Sequence, residues 1–422
     1  MMSPSRGMRC TMPPIRFALA VIMLALAGCV GPPMQRAQRV ARPPLILISV
    51  DGLRADYLDR GVTPHIAALA AGGARAAAMR PSFPSLTFPN HYALVTGKRP
   101  DRNGIINNTM EDPAIPGAIF TLSNRAAVVD RRWWDEAEPV WVTAEKAGVR
   151  TATMFWPGSE APIGGVRPSA WLPFDGEMPN GKRVAQVLAW IEAPARPGFV
   201  TLYFDTVDHA GHEFGPDAAE TTAAVAEVDA RIGDLVAGLA ARGVVANIVL
   251  VSDHGMATVS TSRSLVLKDV LPTDSYRVVT SGAVAGLEAL PGKDAVLAAA
   301  LRNAHPRMRC WRKNAIPPAL RYGGNTRVPT FVCLADLGWT ILGVPLRPGT
   351  HMGGSHGYDP AATEMAAAFV ASGPDIRAVG TVKAFDNVDV YPFLMTLIGV
   401  DRKASDGNPA TLAKLLRIRP RN

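Results

Sequence analysis

The sequence predicts an α/β fold with a mainly parallel central sheet and helices on both faces. Residues 45–50, 199–204 and 247–252 are short, continuous apolar runs, which are typical of strands buried on both sides. A helical pattern fills the space between the second and third runs. This alternation of strand, helix and strand is the pattern of parallel strands joined by helical crossovers.

Helical spacing defines the segment before the third strand. Its apolar residues are Val225, Val228, Ile232, Leu235 and Leu239. Gly243 follows as a typical helix stop. Nearer the C-terminus, residues 365–372 predict another strand and residues 387–400 a closing helix. These elements complete the predicted sheet and its helical layers.

Chemically competent side chains follow the predicted strands. Asp51 comes directly after the first strand, and Asp253 and His254 come after the third. Because open α/β sheets bind ligands at the carboxyl ends of their strands, these side chains should meet at one edge. Asp208 and His212 follow the strand 199–204 and, in a helical turn, would share one face.

His356, in SHGYDP, completes the set of possible metal ligands. Carboxylates and imidazoles without cysteine suit zinc, with manganese or iron as alternatives on ligand type. Thr87 lies where a proline-rich stretch gives way to a predicted helix. It is either an N-cap or a hydroxyl nucleophile activated by a metal.

The motifs in this order resemble the nucleotide pyrophosphatase/phosphodiesterase family of the alkaline phosphatase superfamily. The matching segments are ISVDGLRADYL, FPSLTFPNHYALVTGKRPDRNGIINN, FWPGSEA, YFDTVDHAGHEFGP, VSDHGM and SHGYDP, which span roughly residues 45–360. The resemblance implies an alkaline phosphatase-like fold. It also implies hydrolysis of phosphodiester or pyrophosphate bonds, with nucleotides as the expected substrates.

The resemblance further implies two zinc ions per chain. Asp208, His212 and His356 would bind one ion, and Asp51, Asp253, His254 and Thr87 would bind the other. Thr87 would be the nucleophile of a covalent threonyl-phosphoryl (nucleotidyl) intermediate. Asn108 would donate to a phosphoryl oxygen, with Asn107 beside it as the alternative.

Two aromatic residues match the family positions that flank the nucleotide base. These are Phe88, next to Thr87, and Trp171 in PSAWLPFDG, where the family usually has tyrosine. The alternative is that both are ordinary core residues. His209, His351 and Asp205 lie near the motifs as supporting or surface residues, whereas His91 matches no ligand position.

The N-terminus predicts export and lipidation. Arginines precede a short apolar stretch, FALAVIMLALAG, that suits a signal peptide and is too short for a membrane span. LAGCV resembles a bacterial lipobox, so residues 1–28 would be cleaved and Cys29 lipidated, with 29–43 as a tether. The protein would then lie on the periplasmic side of a bacterial membrane, and we expect this to be the outer membrane. The alternative is an ordinary cleaved signal.

Residues 44–422 are predicted to form the catalytic domain, with an insertion at about 259–350 where the strand and helix alternation weakens. Cys310 and Cys333 lie in this insertion and could form a disulfide after export. The net charge of +8 includes arginines of the signal, and there is no nucleic-acid-binding motif. We therefore expect no nucleic-acid polymer as partner, and the sequence implies no protein partner.

Other functions use parts of the same pattern. A phosphomonoesterase or phosphonate hydrolase would use the same metals but needs additional positive charge near the phosphoryl group. A sulfatase is disfavoured because its Cys/Ser-x-Pro-x-Arg signature is missing. A non-catalytic nucleotide-binding surface lipoprotein would have no use for a nucleophile between two ligand sets.

Overall fold

The central sheet has eight strands within residues 42–418, the part of the chain that this computed structural model describes. The strands in chain order are β1 (Leu45–Val50), β2 (Ala74–Ala76), β3 (Met79–Arg80), β4 (Met110–Glu111), β5 (Ile119–Phe120), β6 (Thr151–Met154), β7 (Ala170–Leu172), β8 (Phe199–Phe204), β9 (Asn247–Val251), β10 (Ala257–Thr258), β11 (Ser264–Val266), β12 (Tyr276–Thr280), β13 (Val284–Ala289), β14 (Met308–Arg312), β15 (Phe331–Ala335), β16 (Thr340–Leu342), β17 (Gly354–Ser355), β18 (Phe369–Ser372), β19 (Gly380–Val382) and β20 (Phe385–Asp386). The helices are α1 (Pro64–Ala71), α2 (Thr87–Thr96), α3 (Pro100–Asn103), α4 (Arg125–Val128), α5 (Val140–Lys146), α6 (Asn180–Glu192), α7 (Thr206–Phe214), α8 (Ala219–Ala241), α9 (Leu267–Val270), α10 (Asp294–Leu301) and α11 (Val390–Ile398).

The strand order of the central sheet is β19-β2-β18-β9-β1-β8-β6-β7. All adjacent pairs are parallel except those of β18, which runs antiparallel to β9 and β2. The mainly parallel α/β fold is thus confirmed. β18 is shorter than the predicted strand at 365–372, because Thr363–Met365 forms a 3₁₀ turn and Ala367 bridges other segments before the strand begins.

Alternating side chains of β1 divide the core into two layers. Leu45 and Leu47 pack with apolar residues of α2, α5 and α11 on one face. Ile46 and Ile48 pack with α1, α6, α7 and α8 on the other. Because successive residues of a strand point to opposite faces, a strand buried on both sides reads as a continuous apolar run.

Residues 259–350 do not extend the central sheet. Four of their strands form a separate antiparallel sheet in the order β12-β13-β15-β14, with an apolar core of its own against α10. The other two, β11 and β16, form a small parallel pair. Cys310 on β14 faces Cys333 on β15 in the strand register, and a disulfide joins them. This region nevertheless belongs to the same compact unit as the central sheet.

The predicted signal peptide at 1–28, Cys29 and the predicted tether up to residue 41 lie outside the described residues. Within the described part of the chain, no helix has both the length and the apolar character needed to cross a membrane.

Candidate active site

Three predicted metal-ligand side chains gather at the carboxyl ends of β1 and β9. Asp51 follows β1 directly, and Asp253 and His254 follow β9, its parallel neighbour. His254 Nε2 lies 2.9 Å from Asp253 Oδ2 and 3.5 Å from Asp51 Oδ1. All three side chains are buried, so their donor atoms form a compact group that could hold a cation.

A second group is built from α7 and the residue after β17. Asp208 and His212 share one face of α7, with 3.4 Å between Asp208 Oδ2 and His212 Nε2. His356 Nε2 lies 3.1 Å from His212 Nε2 and 3.6 Å from Asp208 Oδ1. The His254 ring stacks on that of His356 with 3.5 Å between centroids, so the two groups adjoin.

Backbone carbonyls orient all three imidazoles in the same way. Each Nδ1 lies 2.9 to 3.0 Å from a carbonyl oxygen: His212 from Gly354, His254 from Gly255 and His356 from Ser85. When Nδ1–H donates to a carbonyl, Nε2 keeps its lone pair for a metal. The backbone therefore directs three nitrogen atoms that could ligate a metal toward one place.

Three buried carboxylate oxygens at this place accept no hydrogen bond: Asp51 Oδ1, Asp208 Oδ1 and Asp253 Oδ2. Asp253 Oδ2 faces His254 Nε2, which carries no proton when His254 Nδ1–H donates to Gly255. Because a buried polar atom without a partner is costly, the native state needs a counter-charge there. Divalent cations would supply it, and the mixture of carboxylate and imidazole donors fits zinc.

Burial and mutual repulsion perturb these groups. Burial, together with Asp253 and Asp208, raises the pKa of Asp51 well above its ordinary value. Burial alone would also raise the pKa of Asp253, but His254 and His91 outweigh it and hold that pKa below the ordinary value. Strongly shifted pKa values in one cluster are typical of functional sites.

Thr87 is the first residue of α2, and its hydroxyl faces the first group. Leu86, not Thr87, occupies the N-cap, so the simple capping role does not fit. Thr87 Oγ1 lies 3.3 Å from His254 Nε2. The Phe88 backbone N–H donates to Asn108 Oδ1 at 2.9 Å, which fixes the Asn108 amide beside Thr87.

Asn107 is engaged elsewhere, because its Oδ1 accepts from the Thr109 backbone N–H at 3.1 Å. Of the two adjacent asparagines, Asn108 is therefore the one linked to the nucleophile segment. Its Nδ2 remains the amide group able to donate to a phosphoryl oxygen.

Sequence reasoning missed two residues that support the ligands. The Tyr203 hydroxyl donates to Asp51 Oδ2 at 2.6 Å. His91, which matched no ligand position, lies with Nδ1 3.4 Å from Asp253 Oδ2 and with Nε2 2.8 Å from Ser49 Oγ. The sequence spacing could have indicated His91, because it lies four residues after Thr87 and therefore on the same helix face.

The two aromatic residues predicted to flank the base lie in different places. Phe88 lies beside the site on α2, half-buried against Phe120 and Trp134. Trp171 lies within the edge strand β7, where its ring faces the Arg167 guanidinium. Among residues 42–418, the Trp171 ring makes no contact with the ring of Phe88 or of Tyr203.

Phe174 is an aromatic residue near the site that was not among those predicted to flank the base. It follows the carboxyl end of β7, is 44% exposed, and its ring centroid lies 6.3 Å from that of Tyr203. The signal was its place just beyond a strand end, in the same PSAWLPFDG segment as Trp171.

The remaining candidates lie at the edge of the site. His209 is 82% exposed and its nearest acid is Glu213, while His351 is also exposed. Asp205 pairs with Arg183 at 2.8 Å. None of these three belongs to the two ligand groups.

A parallel sheet that presents a hydroxyl and two adjoining metal-ligand groups at its carboxyl edge defines a class of protein, the enzymes of phosphoryl transfer. Comparison with known proteins gives the particular family. The chain belongs to the type I phosphodiesterase / nucleotide pyrophosphatase family, whose model matches residues 45–359. It is accordingly a hydrolase of phosphoric ester or anhydride bonds.

Two relatives and one solved structure illustrate the similarity. The chain is 32% identical to the bis(5′-adenosyl)-triphosphatase enpp4 of Xenopus laevis, over 95% of this chain and 87% of that protein. It is 30% identical to human ectonucleotide pyrophosphatase/phosphodiesterase family member 5, over 93% and 80%. An inactive threonine-to-alanine variant of murine ectonucleotide pyrophosphatase/phosphodiesterase 5, in complex with AMP, superposes with a TM-score of 0.85 at 31% identity, covering 89% of this chain and 100% of that one.

Proposed function

We propose that the protein hydrolyses phosphodiester and pyrophosphate bonds of nucleotides through a covalent intermediate on Thr87. The observation that carries the proposal is the position of Thr87 Oγ1, 3.3 Å from His254 Nε2 and beside the Asp51, Asp253 and His254 group. A hydroxyl needs such a neighbourhood to become a nucleophile. The inactive threonine-to-alanine variant of the murine relative supports this assignment.

The reaction proceeds in two displacements. Thr87 Oγ1 attacks phosphorus, a P–O bond to Thr87 forms, and the P–O bond to the leaving group breaks. Water then attacks the threonyl-nucleotidyl intermediate, which releases the nucleoside monophosphate and restores the Thr87 hydroxyl. Asn108 Nδ2 donates to a non-bridging oxygen in both steps, so its charge stabilisation is available before the reaction begins.

Two zinc ions are part of the proposal. Asp51, Asp253 and His254 would hold one ion, and Asp208, His212 and His356 the other. Bound there, such ions would neutralise phosphoryl charge and would lower the pKa of hydroxyl and water groups. The orphaned carboxylate oxygens and the common orientation of the imidazoles support both sites.

The nucleotide part of the substrate is assigned to aromatic residues. We propose that the base stacks against Phe88 and Phe174. Phe174 replaces Trp171 in this role because it is exposed beyond a strand end, whereas Trp171 lies within β7. Stacking on an aromatic ring is sequence-tolerant and contributes about 1 to 3 kcal/mol per base, so we expect weak discrimination among nucleobases.

A phosphomonoesterase would need additional positive charge for a dianionic phosphoryl group. Within residues 42–418, the ion pairs of the three candidate ligand carboxylates involve only histidines. The phosphomonoesterase therefore stays the alternative, and a comparison of ester substrates separates it from the phosphodiesterase.

Three esters of p-nitrophenol test the proposed function: a nucleoside 5′-phosphate diester, a phosphate monoester and a sulfate ester. All three release the same chromophore, so their values of kcat/KM compare the transferred groups alone. We expect the nucleotide diester to be the best substrate. A preference for the monoester or the sulfate would refute the proposal, and no turnover of any ester would favour a binding protein.

We also propose that the protein is exported and anchored by lipid at Cys29. The support is the LAGCV sequence after an arginine-flanked apolar stretch. Expressed in bacteria, the full chain should incorporate labelled fatty acid and fractionate with membranes, while Cys29→Ser should do neither. Release of an unlabelled wild-type protein into the periplasm would support the ordinary signal peptide instead.

A further inference from the structure

Arg183 is a buried arginine that the phosphoryl-transfer chemistry does not use. Its side chain, in the first turn of α6, is 2% exposed. A buried guanidinium is costly unless its N–H groups are hydrogen-bonded. The acceptors are Met178 O at 3.0 Å from Nε, Tyr203 O and Asp205 Oδ1 at 3.1 and 2.8 Å from Nη1, and Gly176 O at 3.3 Å from Nη2.

These four acceptors belong to three different elements. Gly176 and Met178 lie in residues 173–179, here called the aromatic loop because it carries Phe174. Tyr203 lies near the end of β8 and also donates to the ligand Asp51. Asp205 precedes α7, which supplies two further ligands. Arg183 therefore ties the aromatic loop to both elements that support the metal-ligand groups.

The direction of helical side chains explains why this residue can do so. Side chains in an α-helix lean toward its N-terminus, so Arg183 reaches back over the loop that precedes α6. A lysine at this position has a single nitrogen atom, whereas the guanidinium has three. Lysine could therefore not bridge the aromatic loop, β8 and the segment before α7 at the same time.

Ring contacts connect Arg183 with Phe174. The guanidinium carbon lies 5.2 Å from the centroid of Phe155, and the Phe155 ring lies 5.4 Å from that of Phe174. Phe155 has a φ of 64°, a left-handed conformation that is unfavourable for a bulky residue. The Arg183 guanidinium and the Phe174 ring both pack against this residue.

We propose that Arg183 is a positioning residue that fixes the aromatic loop and thereby sets the preference for substrates that carry a nucleobase. The inference rests on the proposed function, because Phe174 is assigned there to the base. Arg183 acts through Phe174 and touches neither phosphorus nor the metal ligands. Its loss should therefore affect nucleotide esters selectively.

The test compares two diesters with the same leaving group, the p-nitrophenyl ester of thymidine 5′-phosphate and methyl p-nitrophenyl phosphate. Arg183→Lys should lower kcat/KM for the thymidine ester about 5- to 50-fold and change that for the methyl ester less than about 2-fold. In a Phe174→Ala background, Arg183→Lys should cause no further selective loss. Equal losses on both esters, no loss, or additive selective losses would overturn the inference.

Arg327→Lys is the matched control. Arg327 is also buried and donates to three carbonyl oxygens and to Asp112, and within residues 42–418 it makes no hydrogen bond or ring contact with the aromatic loop. It should lower the melting temperature as Arg183→Lys does, without changing the ratio of the two kcat/KM values. A changed ratio in this control would mean that any lost buried guanidinium alters specificity.

Phe155→Leu provides a second variant if Arg183→Lys does not fold. It removes the ring between Arg183 and Phe174 without uncovering a buried charge, and it should cause the same selective loss. A wild-type enzyme that does not prefer the thymidine ester refutes the proposed function itself. A wild-type preference that both variants retain refutes only the role of Arg183.

Discussion

The two halves of the site differ in how they are built. Asp51, Asp253 and His254 are at most 2% exposed and sit directly after strands of the central sheet. Phe174 is 44% exposed and sits on a loop at the edge of that sheet. The first, here called the buried half, is fixed by the core. The second, here called the aromatic half, depends on a few contacts, chiefly those of Arg183.

Because of this difference, the buried half should determine the reaction and the aromatic half the substrate preference. Ligands on buried strand ends are held by the packing of the whole sheet, so they are placed with the precision that metal sites require. A loop can change its side chains without disturbing that packing. Changes in the buried half should therefore affect all substrates, and changes in the aromatic half should affect only those that carry a base.

Removal of metal should have the largest effect. A chelator should abolish turnover of both the thymidine and the methyl ester, because nucleophile activation and charge neutralisation are lost together. Elemental analysis should find about two zinc ions per active chain, and added zinc should restore activity. Full activity in metal-free protein would contradict the assignment of both ligand groups.

Thr87→Ala should have the next largest effect. We expect kcat to fall by about three orders of magnitude or more on both esters, because the covalent step is lost. Metal content and melting temperature should change little, since Thr87 is not the N-cap of α2. A variant that is less stable but turns over normally would leave Thr87 with a structural role only.

Tyr203→Phe tests the support of the buried half. It removes the hydrogen bond to Asp51 while keeping the ring, and loss of such a bond to a metal ligand typically costs about 10- to 100-fold in activity or metal affinity. The loss should be equal on both esters. The measurement is kcat/KM for the thymidine and methyl esters. A loss confined to the thymidine ester would show that Tyr203 supports the aromatic half instead.

Phe174→Ala and Trp171→Ala together test which aromatic residue stacks on the base. Phe174→Ala should lower kcat/KM for the thymidine ester roughly 5- to 100-fold by loss of stacking, and it should spare the methyl ester. Trp171→Ala should change neither value by more than about 2-fold, because Trp171 lies within β7. The reverse result would restore Trp171 as the stacking residue.

Local patterns in the sequence predicted the strand and the helix that carry Asp51 and Asp208. The apolar run before Asp51 matches β1 residue for residue, and the spacing of Asp208 and His212 matches one face of α7. Such features depend on neighbours in the chain, which periodicity records. For the same reason, the helix before β9 was predicted to within a few residues.

Contacts between distant segments could not be predicted in this way. Tyr203 reaches Asp51 because β8 aligns with β1 in one register, and that register is a property of the folded sheet. Phe174 depends on a loop whose shape is set by Arg183 and Phe155. The sheet within residues 259–350 likewise depends on antiparallel pairing over long sequence separations.

The stereochemical course at phosphorus tests the central claim most directly. A nucleotide diester made chiral with sulfur and an oxygen isotope would be hydrolysed in isotopically labelled water. Two in-line displacements, first by Thr87 and then by water, predict net retention of configuration. Net inversion would show that water attacks the substrate directly, and it would contradict a covalent intermediate on Thr87.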